Sequence, residues 1–580
     1  MSELINNLDT LRHSTSHVLA QAVLKLFPDA KLGIGPAIND GFYYDFDIDT
    51  PITEDDLINI ESIMSDIIKE GQPFTQFSLD KDSSLKKLEK SNQPYKCELI
   101  KDLQLDHYSF YENGPFIDLC KGPHIENTKQ IKAFKLLKVS GAYWKGSEAN
   151  KMLQRIYGTA FLNSKDLKIY LNQLEEAKKR DHRKLGKELS LFSIKDDVGG
   201  GLILWHPKGS IMRNIIETFW KNKHLEQGYD LVYTPHIGKA DLWKTSGHLD
   251  FYEENMYDKM SIENQDYYLR PMNCPFHIMI YNSALHSYRN LPIRYAELGT
   301  VYRFERSGVL QGLFRVRGFT QDDAHIICSK EDINDEIERA LIFSLDMLRV
   351  FGFSDFELFV STKPAEKFVG NPDQWSLAES ALKQALEKHH LSYRVDEGGG
   401  AFYGPKIDIK INDAIGRQWQ CSTIQFDFNL PSQFNMSFIN THGDKEEPYM
   451  IHRALLGSLE RFFGILIEHY SGWFPTWLAP TQCIILTINS NAIAYAHSVI
   501  DQLKAHQIRV NQDFSTEKIG YKIRQSIAQK IPYMIIIGDQ EVNENVLTIR
   551  HKKNNLGSYS MPDFIKKFYK EFISPIDNAI

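Results

Sequence analysis

The stretch that most constrains this chain is Ile293 to Cys328, IRYAELGTVYRFERSGVLQGLFRVRGFTQDDAHIIC, which reads as two strands joined by a glycine-punctuated loop. Successive side chains of a strand point to opposite faces, and from Leu313 onward the residues sort accordingly. Arg315, Arg317, Phe319, Gln321, Asp323 and His325 share one face. Phe314, Val316, Ala324 and Ile326 share the other, with the composition of a face packed on a core. Arg303 and Glu305 share a parity on the preceding strand. Guanidinium groups match phosphate oxygens with paired hydrogen bonds, and an exposed aromatic ring offers a base a stacking surface. The row therefore suits a nucleotide. The plainer alternative is a solvated face of an antiparallel sheet, where charges of both signs are ordinary.

At 580 residues the chain is longer than one hydrophobic core usually organises, so about three or four domains are expected. Hydrophobic residues at 42% and charged residues at 24% are those of an ordinary globular protein. With 67 basic against 75 acidic residues the net charge is −8, so any nucleic acid must be held by local patches and not by a global basic field. The opening MSELINNLDT has neither a basic start nor an apolar run, and no later stretch is long and apolar enough to cross a bilayer. These features place the chain in the cytoplasm, with no membrane partner. Six cysteines, Cys97, Cys120, Cys274, Cys328, Cys421 and Cys483, are too few and scattered for a disulfide framework, which leaves free thiols or metal ligands.

Toward the N-terminus, Asp9 can cap a helix beginning LRHSTSHVLAQAVLKLF, with Leu11, Val18, Ala22 and Leu26 forming much of its apolar stripe. His13 and His17, four apart, share a helix face with Cβ atoms about 5–6 Å apart. A hairpin follows, turning at Asn39, Asp40 and Gly41, with Phe42, Tyr44, Phe46 and Ile48 alternating with polar positions. Then comes a charged helix from Glu54 to Glu70. Asp118, Cys120 and His124 lie on a loop bounded by Gly and Pro. The two helical histidines with Cys120 and His124 make a four-ligand zinc set on paper, yet CKGPH resembles no zinc-finger frame. A polar catalytic cleft, a zinc site and a merely structural histidine pair all remain open.

Residues 163–189 read as a charged linker helix whose KKRDHRK run is solvated surface. Residues 208–228 form an amphipathic helix. YDLVYTPHI is a strand whose Pro235 belongs at a sheet edge or bulge, where no ladder bond is lost and another subunit can pair. Cys274 is pinned between two prolines. PKIDIKI and STIQFDF present Lys406, Asp408, Thr423, Gln425 and Asp427 on one face against Ile407, Ile409, Ile424 and Phe426. From a strand end at His452 the chain enters a helix that turns Leu455, Leu459, Phe462 and Phe463 inward and carries Ser458 and Arg461 on one face. Gly457 and Gly464 allow close backbone approach. Beyond Pro480 strands and helices alternate, which indicates a small α/β domain with a largely parallel sheet. Its Lys518, Lys522, Arg524, Lys530 and Arg550 suit RNA or are ordinary surface charge.

In this order through nearly the whole chain, HSTSH, GFYYD, DLCKGPH, GAYWKG, NKMLQRIYGTA, PMNCP, RVRGFTQDDAH, AFYGPKID, IHRALLGSLERF and EKIGYKIR resemble the bacterial-type threonyl-tRNA synthetases, a family of class II aminoacyl-tRNA synthetases. The resemblance implies an α+β multidomain architecture. Its parts would be an α+β editing domain at 1–163, a linker helix at 164–188, a class II catalytic domain with an antiparallel sheet flanked by helices at 189–478, and an α/β anticodon-binding domain at 479–580. It also implies ATP-dependent attachment of threonine to tRNA(Thr) through a threonyl-adenylate, in a homodimer formed at the motif containing Pro235. Arg303, Glu305, Arg315, Phe319 and Arg461 would bind ATP, which comes with Mg2+; Arg303, Lys406 and Arg461 would be catalytic; Gln321, Asp323, Tyr403 and Gln425 would hold threonine.

By the same resemblance Cys274, His325 and His452 bind one zinc ion per subunit, a donor set that leaves a tetrahedral ion an open side for the amino and hydroxyl groups of threonine. Valine has no hydroxyl to offer. Serine lacks only a methyl, worth about 1–3 kcal/mol, so a second, hydrolytic and metal-free site is implied at His13, His17, Tyr44, Asp118, Cys120 and His124. Thr516, Lys530, Glu541 and Arg550 would meet the anticodon.

The chain departs from the family in several places. It opens almost directly on the first helix of the editing domain, without the ubiquitin-like domain common in the family. Phe276 stands where a glycine is usual and is expected to bulk the wall beside Cys274. Thr516 and Lys530 stand where Asn and Arg are frequent, and Lys lacks the planar fork of Arg. Two other readings compete. One is a synthetase-like RNA-binding regulator without catalysis, against which the retained Arg303, Phe319, Arg461 and Cys-His-His set weigh. The other is a metallohydrolase built on HSTSH and CKGPH, which leaves most of the chain without a role.

Overall fold

Strands that alternate Ile, Ala and Phe with polar residues need one covered face, and in the second of the two units of the chain, Glu176–Ile580, they find it in one large sheet. The computed structural model describes residues 2–366, 368–401 and 403–577. Among these the sheet has eight strands, in the spatial order Asp230–Leu231, Ile293–Tyr302, Gly318–Cys328, Tyr449–Ala454, Gln418–Asp427, Lys406–Asn412, Phe356–Ser361 and Tyr393–Asp396. The pair at either edge is parallel and the inner pairs are antiparallel. Helices Ile333–Val350, Pro372–Lys388 and Leu459–Tyr470 supply the cover. Ala324, Ile326, Ile407, Ile409, Ile424 and Phe426 are buried among Leu341, Leu345, Leu382 and Leu466. Each such Ile or Phe contributes about 1.5–3 kcal/mol, and a one-residue slip would turn all of them to the polar side, so the pattern holds the register.

The strand begins at Gly318, not at Leu313. Residues before it form a tight turn, with Phe314 N–H donating to Gln311 O at 2.8 Å and Gln311 N–H to Arg315 O at 3.1 Å. Strand parity therefore governs Phe319 to His325 but not Phe314 to Arg317. Arg317 leaves the row: its Nε donates to the Glu305 carbonyl at 2.8 Å and its guanidinium lies 5.6 Å from the Phe304 ring. The Pro235 strand is shorter than expected, Asp230–Leu231 at the sheet edge. Pro235 lies beyond it because Glu297 takes the Thr234 N–H (3.0 Å) and hydroxyl (2.7 Å), which ends the ladder. The charged linker is two helices, Ser164–Arg180 and His182–Glu188, broken at Asp181, whose carboxylate caps the second by accepting Arg183 N–H. Its basic run is not uniformly solvated, since His182 is buried.

After residue 480 the chain builds a smaller sheet in the order Val510–Asp513, Cys483–Thr487, Tyr533–Ile537, Leu547–His551, Asn554–Tyr559. The first three strands are parallel and the last two close it as a hairpin. Lys522 does not belong to its surface: the ammonium is buried and donates to Thr487 O at 2.9 Å and Asp513 O at 3.2 Å, satisfying carbonyls at the ends of two strands.

The first unit, Met1–Glu175, places the helices Ser2–Leu26 and Glu54–Glu70 on a sheet containing Gly41–Asp47, Met152–Phe161 and Ala133–Tyr143. The first helix starts well before Asp9, which lies inside it, because Leu8 joins Leu11 on the apolar stripe and carries the helix through. Ala37–Ile38 pairs with Gly41–Phe42 across Asn39 and Asp40, the expected turn. Thr53 and Asp56 form a capping box at the start of the Glu54–Glu70 helix, and Gly71 closes it at φ 73°. A second sheet, Phe74–Asp80, His107–Asn113 and Phe116–Leu119, brings Asp118 in on a strand and not on the expected loop. Among the described residues no helix is long and apolar enough to cross a membrane, and all six cysteines are free thiols.

Candidate active site and a second histidine cleft

The polar face of the eight-stranded sheet opens into a cleft of about 640 Å³ whose lining includes Arg303, Glu305, Arg315, Phe319, Gln321 and Arg461. The Arg303 guanidinium stands 5.1 Å from the centre of the Phe319 ring, and its Nε reaches Pro271 O at 3.3 Å. Glu305 pairs with Arg315 at 2.9 Å. Arg461 is placed by the first turn of the Leu459–Tyr470 helix. Ser458 is the N-cap of that helix, its hydroxyl accepting Arg461 N–H at 3.2 Å, so it is no helical neighbour of Arg461. Gly457 sits at φ 75°, and a Cβ there would lie 2.9 Å from Cys421 O, which explains the glycine. Arg461 Nε and Gln321 Oε1 are buried with no protein partner among the described residues. Buried polar atoms are normally met by protein, water or ligand, so these two atoms are available to a polar group bound in the cleft.

Two polar residues behind this cleft behave differently from the sequence reading. Lys406 is not in the lining; its Nζ pairs with Asp408 at 2.7 Å, and Asp408 in turn accepts from Gln420 (2.6 Å) and Thr423 (2.8 Å), both of which do line it. Asp322, between Gln321 and Asp323, faces the core and accepts Leu455 N–H at 2.8 Å and Leu456 N–H at 2.6 Å, so it positions the turn that leads to Gly457. Burial raises its pKa to about 6 against the pull of Arg453. Parity alone had marked that face as apolar.

Farther along the same strands His325 lies directly opposite His452, and Cys274 opens the helix Cys274–Tyr281 beside them. One donor atom from each lies within 4.8 Å of the others, and all three residues are buried. His325 Nε2 and His452 Nδ1 face each other at 2.9 Å. The outer nitrogens are anchored: His325 Nδ1 meets His277 Nδ1 at 2.8 Å and His452 Nε2 meets Asp427 Oδ2 at 2.7 Å. His277 continues to Glu297 at 3.1 Å. Burial drives the His325 pKa well below its usual value. Burial pulls the same way on His452, but Cys274 and Asp427 outweigh it and hold its pKa up, at about 10. Asp323 is held by Asn273 Nδ2 at 3.0 Å, Gln425 sits opposite His452 with its Nε2 on Gly404 O at 3.1 Å, and the Tyr403 ring centre is 5.5 Å from that of His452. His277 was missed in the sequence; the signal was its place three residues after Cys274, on the same helix face. Phe276 points elsewhere, onto Trp243 (5.7 Å) and Gly238, and does not bulk the wall beside Cys274.

The first unit gathers His13, His17, Cys120 and His124 within 4.8 Å of one another. Ser14 donates to Thr10 O and accepts Ile125 N–H, so its contact with His124 Nδ1 at 3.0 Å is an acceptance. His124 Nε2 then accepts from the Cys120 thiol at 3.2 Å, and His13 Nε2 lies 3.3 Å from the same sulfur. Burial pushes the Cys120 pKa up to about 12 and depresses those of His13, His17 and His124. Near neutral pH the cluster is therefore an uncharged thiol among uncharged imidazoles. Beside it Asp118 accepts the Tyr44 hydroxyl, stands 3.8 Å from His17 Nε2, and forms a buried ion pair with Lys96 at 2.6 Å. Lys96 carried no signal in the sequence, where it is one of two lysines on the short helix Pro94–Asp102.

The remaining expected residues lie in the C-terminal sheet domain. Thr516 is exposed, and Arg550 Nη2 donates to Lys553 O at 3.0 Å. Lys530, at φ 57°, lies 5.2 Å from the Trp473 ring. Glu541 is turned inward, its carboxylate taken by Gly538 N–H (2.8 Å) and the Thr548 hydroxyl (2.7 Å).

Three family models match this chain: the tRNA synthetase class II core domain (G, H, P, S and T) at residues 257–470, the threonyl and alanyl tRNA synthetase second additional domain at 108–157, and an anticodon binding domain at 482–570. A threonine–tRNA ligase of Magnetococcus marinus is 52% identical over 569 residues, covering 98% of this chain and 88% of that protein. The chain belongs to the threonine–tRNA ligase family. Another member of this family, from Borrelia hermsii, is 54% identical over 548 residues, 94% of either chain. A solved structure described as the RNA binding domain of the threonyl-tRNA synthetase from Cryptosporidium parvum Iowa II is 41% identical with a TM-score of 0.64, and covers 68% of this chain and 98% of that one. The threonine–tRNA ligase family thus accounts for the multidomain α+β fold, with its class II core, editing domain and anticodon-binding domain.

Proposed function

We propose that this chain attaches L-threonine to tRNA(Thr) with ATP, through a threonyl-adenylate, and hydrolyses seryl-tRNA(Thr) in its first unit, working in the cytoplasm as a homodimer. The observation that carries the first half is the juxtaposition of the Arg303–Phe319–Arg461 cleft with the Cys274–His325–His452 set on one sheet face. ATP enters with Mg2+. Phe319 stacks on its adenine, Arg303 meets the α-phosphate, and Arg461, with its unpartnered Nε, meets the γ-phosphate. Both cations act where charge develops in adenylate formation. Gln321, Asp323, Tyr403 and Gln425 surround the amino acid, and Lys406 orders the wall through Asp408.

The donor set fits a zinc ion. One thiol and two imidazoles are the ligands zinc prefers, the inner atoms converge within 4.8 Å, and His277 and Asp427 hold the outer nitrogens as second-sphere partners commonly do. When bound there, zinc supplies Lewis-acid positions for the amino and hydroxyl groups of threonine. Valine, lacking the hydroxyl, is rejected strongly, whereas serine loses only about 1–3 kcal/mol for its missing methyl. The second cluster answers that weakness: uncharged His13, His17 and His124 position the water, Cys120 holds two of the rings, and Lys96 offsets the charge of Asp118. The edge strand Asp230–Leu231 and the exposed Tyr233 beside it give the two-fold interface. In the C-terminal domain Thr516, Lys530 and Arg550 face the anticodon, with Glu541 shaping the fold beneath.

The test is amino-acid-dependent ATP–pyrophosphate exchange. Threonine should support it strongly, serine weakly and valine barely, and seryl-tRNA(Thr) should be deacylated. Equal exchange with valine and threonine would refute the zinc reading, and no exchange with any of them would refute the ligase reading of the cleft.

A further inference from the structure

The geometry points to a positioning role for His182 in adenylate formation: its imidazole holds the turn at the base of the loop that presents Arg315 and Glu305 to the nucleotide. This rests on the nucleotide-binding reading of the cleft. His182 opens the short His182–Glu188 helix and is 1% exposed. Its Nε2 accepts the backbone N–H of Leu313 at 2.9 Å, so the ring proton sits on Nδ1, which donates to Glu468 Oε1 at 2.7 Å. The same oxygen takes the backbone N–H of His182 at 3.0 Å, and Arg417 stands 2.5 Å from the other. Glu468 belongs to the Leu459–Tyr470 helix, whose first turn carries Arg461. One imidazole therefore ties the helix of Arg461 to the loop of Arg315.

The loop side of this tie is a tight turn. Gly312 adopts φ 50°, and a Cβ there would lie 2.1 Å from His182 Nε2, so the glycine lets the ring reach the backbone. Next to it the Phe314 ring centre is 4.1 Å from that of His182 and 4.3 Å from that of Trp419, and both Phe314 and Trp419 line the cleft. Arg306 to Val309 are exposed, so the loop tip has little packing of its own. Its path is set at one end by Arg317 on the Glu305 carbonyl and at the other by His182 on Leu313. Asp181, His182 and Glu468 also have the composition of a cation site. Both nitrogens of His182 are already engaged, however, and no lone pair is left for a metal.

His182→Ala and His182→Gln in the full chain test this, with ATP and threonine varied separately in pyrophosphate exchange. For His182→Ala, kcat/KM for ATP should fall about tenfold, the factor set by one lost buried hydrogen bond, while KM for threonine stays unchanged. His182→Gln, whose side-chain oxygen can accept from Leu313 N–H, should recover most of the loss. Unaltered ATP kinetics in His182→Ala would overturn the proposal. So would parallel losses for ATP and threonine that track the folded fraction and are not rescued by Gln. Arg303→Ala, run alongside, separates the two levels. Near-normal exchange in Arg303→Ala sinks the nucleotide reading itself, whereas abolished exchange there with a silent His182→Ala sinks the positioning role alone.

Discussion

Lys96 and Asp118 form an ion pair with 3% of either side chain exposed and Nζ 2.6 Å from Oδ1. Replacing Lys96 by Met keeps the aliphatic stem and removes the cation, stranding a carboxylate that also accepts the Tyr44 hydroxyl. Breaking a buried pair from one side costs about 3–5 kcal/mol, because the remaining charge has lost both water and partner. Adding Asp118→Asn removes the stranded charge and retains an acceptor for Tyr44, so the double variant should lie within about 1–2 kcal/mol of the parent, the scale of the lost hydrogen bonds. Trp144 is the one tryptophan before residue 176 and is buried in the same unit. Its fluorine resonance in fluorotryptophan-labelled protein, assigned with Trp144→Phe, follows the unfolding of that unit in urea. A loss below about 1 kcal/mol in Lys96→Met, the range of a solvated pair, would refute the buried-pair argument. A double variant as unstable as Lys96→Met would show that the cost was never the stranded charge. Deacylation of seryl-tRNA(Thr) should fall in both variants, since neither keeps the Lys96–Asp118 pair that stands beside His17.

Cys274→Ser should lose metal and threonine activation together, measured as zinc content and pyrophosphate exchange; full activation by a metal-free preparation would contradict it. Arg303→Ala should abolish exchange with little change in the unfolding midpoint, because the side chain faces the cleft and not the core. His13→Ala with His17→Ala should leave threonylation intact while seryl-tRNA(Thr) accumulates, and rapid clearance by that variant would rule the cleft out. In the parent, burial depresses the His13, His17 and His124 pKa values below the usual 6.5. The unfolded chain therefore takes up protons that the folded unit refuses, and the stability these histidines contribute above pH 6.5 is lost as pH falls below it. Urea midpoints that stay flat from pH 7 to pH 5 in the parent would oppose this.

The sequence by itself determined the family, the order of the domains and the polar face of the main sheet. It could do so because motif spacing and two-residue alternation are local properties, carried by Phe319, Gln321, Asp323 and His325 without reference to anything distant. It also marked Cys274, His325, His452, His13, His17, Cys120 and His124 as candidates, and the fold brings each set within 4.8 Å. Only the tertiary structure decided which other charged residues are buried. Lys96, His182, Asp322 and Lys522 look like surface or core-face positions in the pattern, yet each is enclosed by partners from other elements; Glu468 lies 286 residues from His182. It also shortened the Pro235 strand, through Glu297 63 residues away from Thr234, and turned Phe276 toward Trp243. The physical reason is common to all of them. Periodicity reports which side of an element meets a core, but a charge can enter that core only where another segment supplies the opposite charge or the carbonyls that replace water, and that supply exists only once the chain has folded.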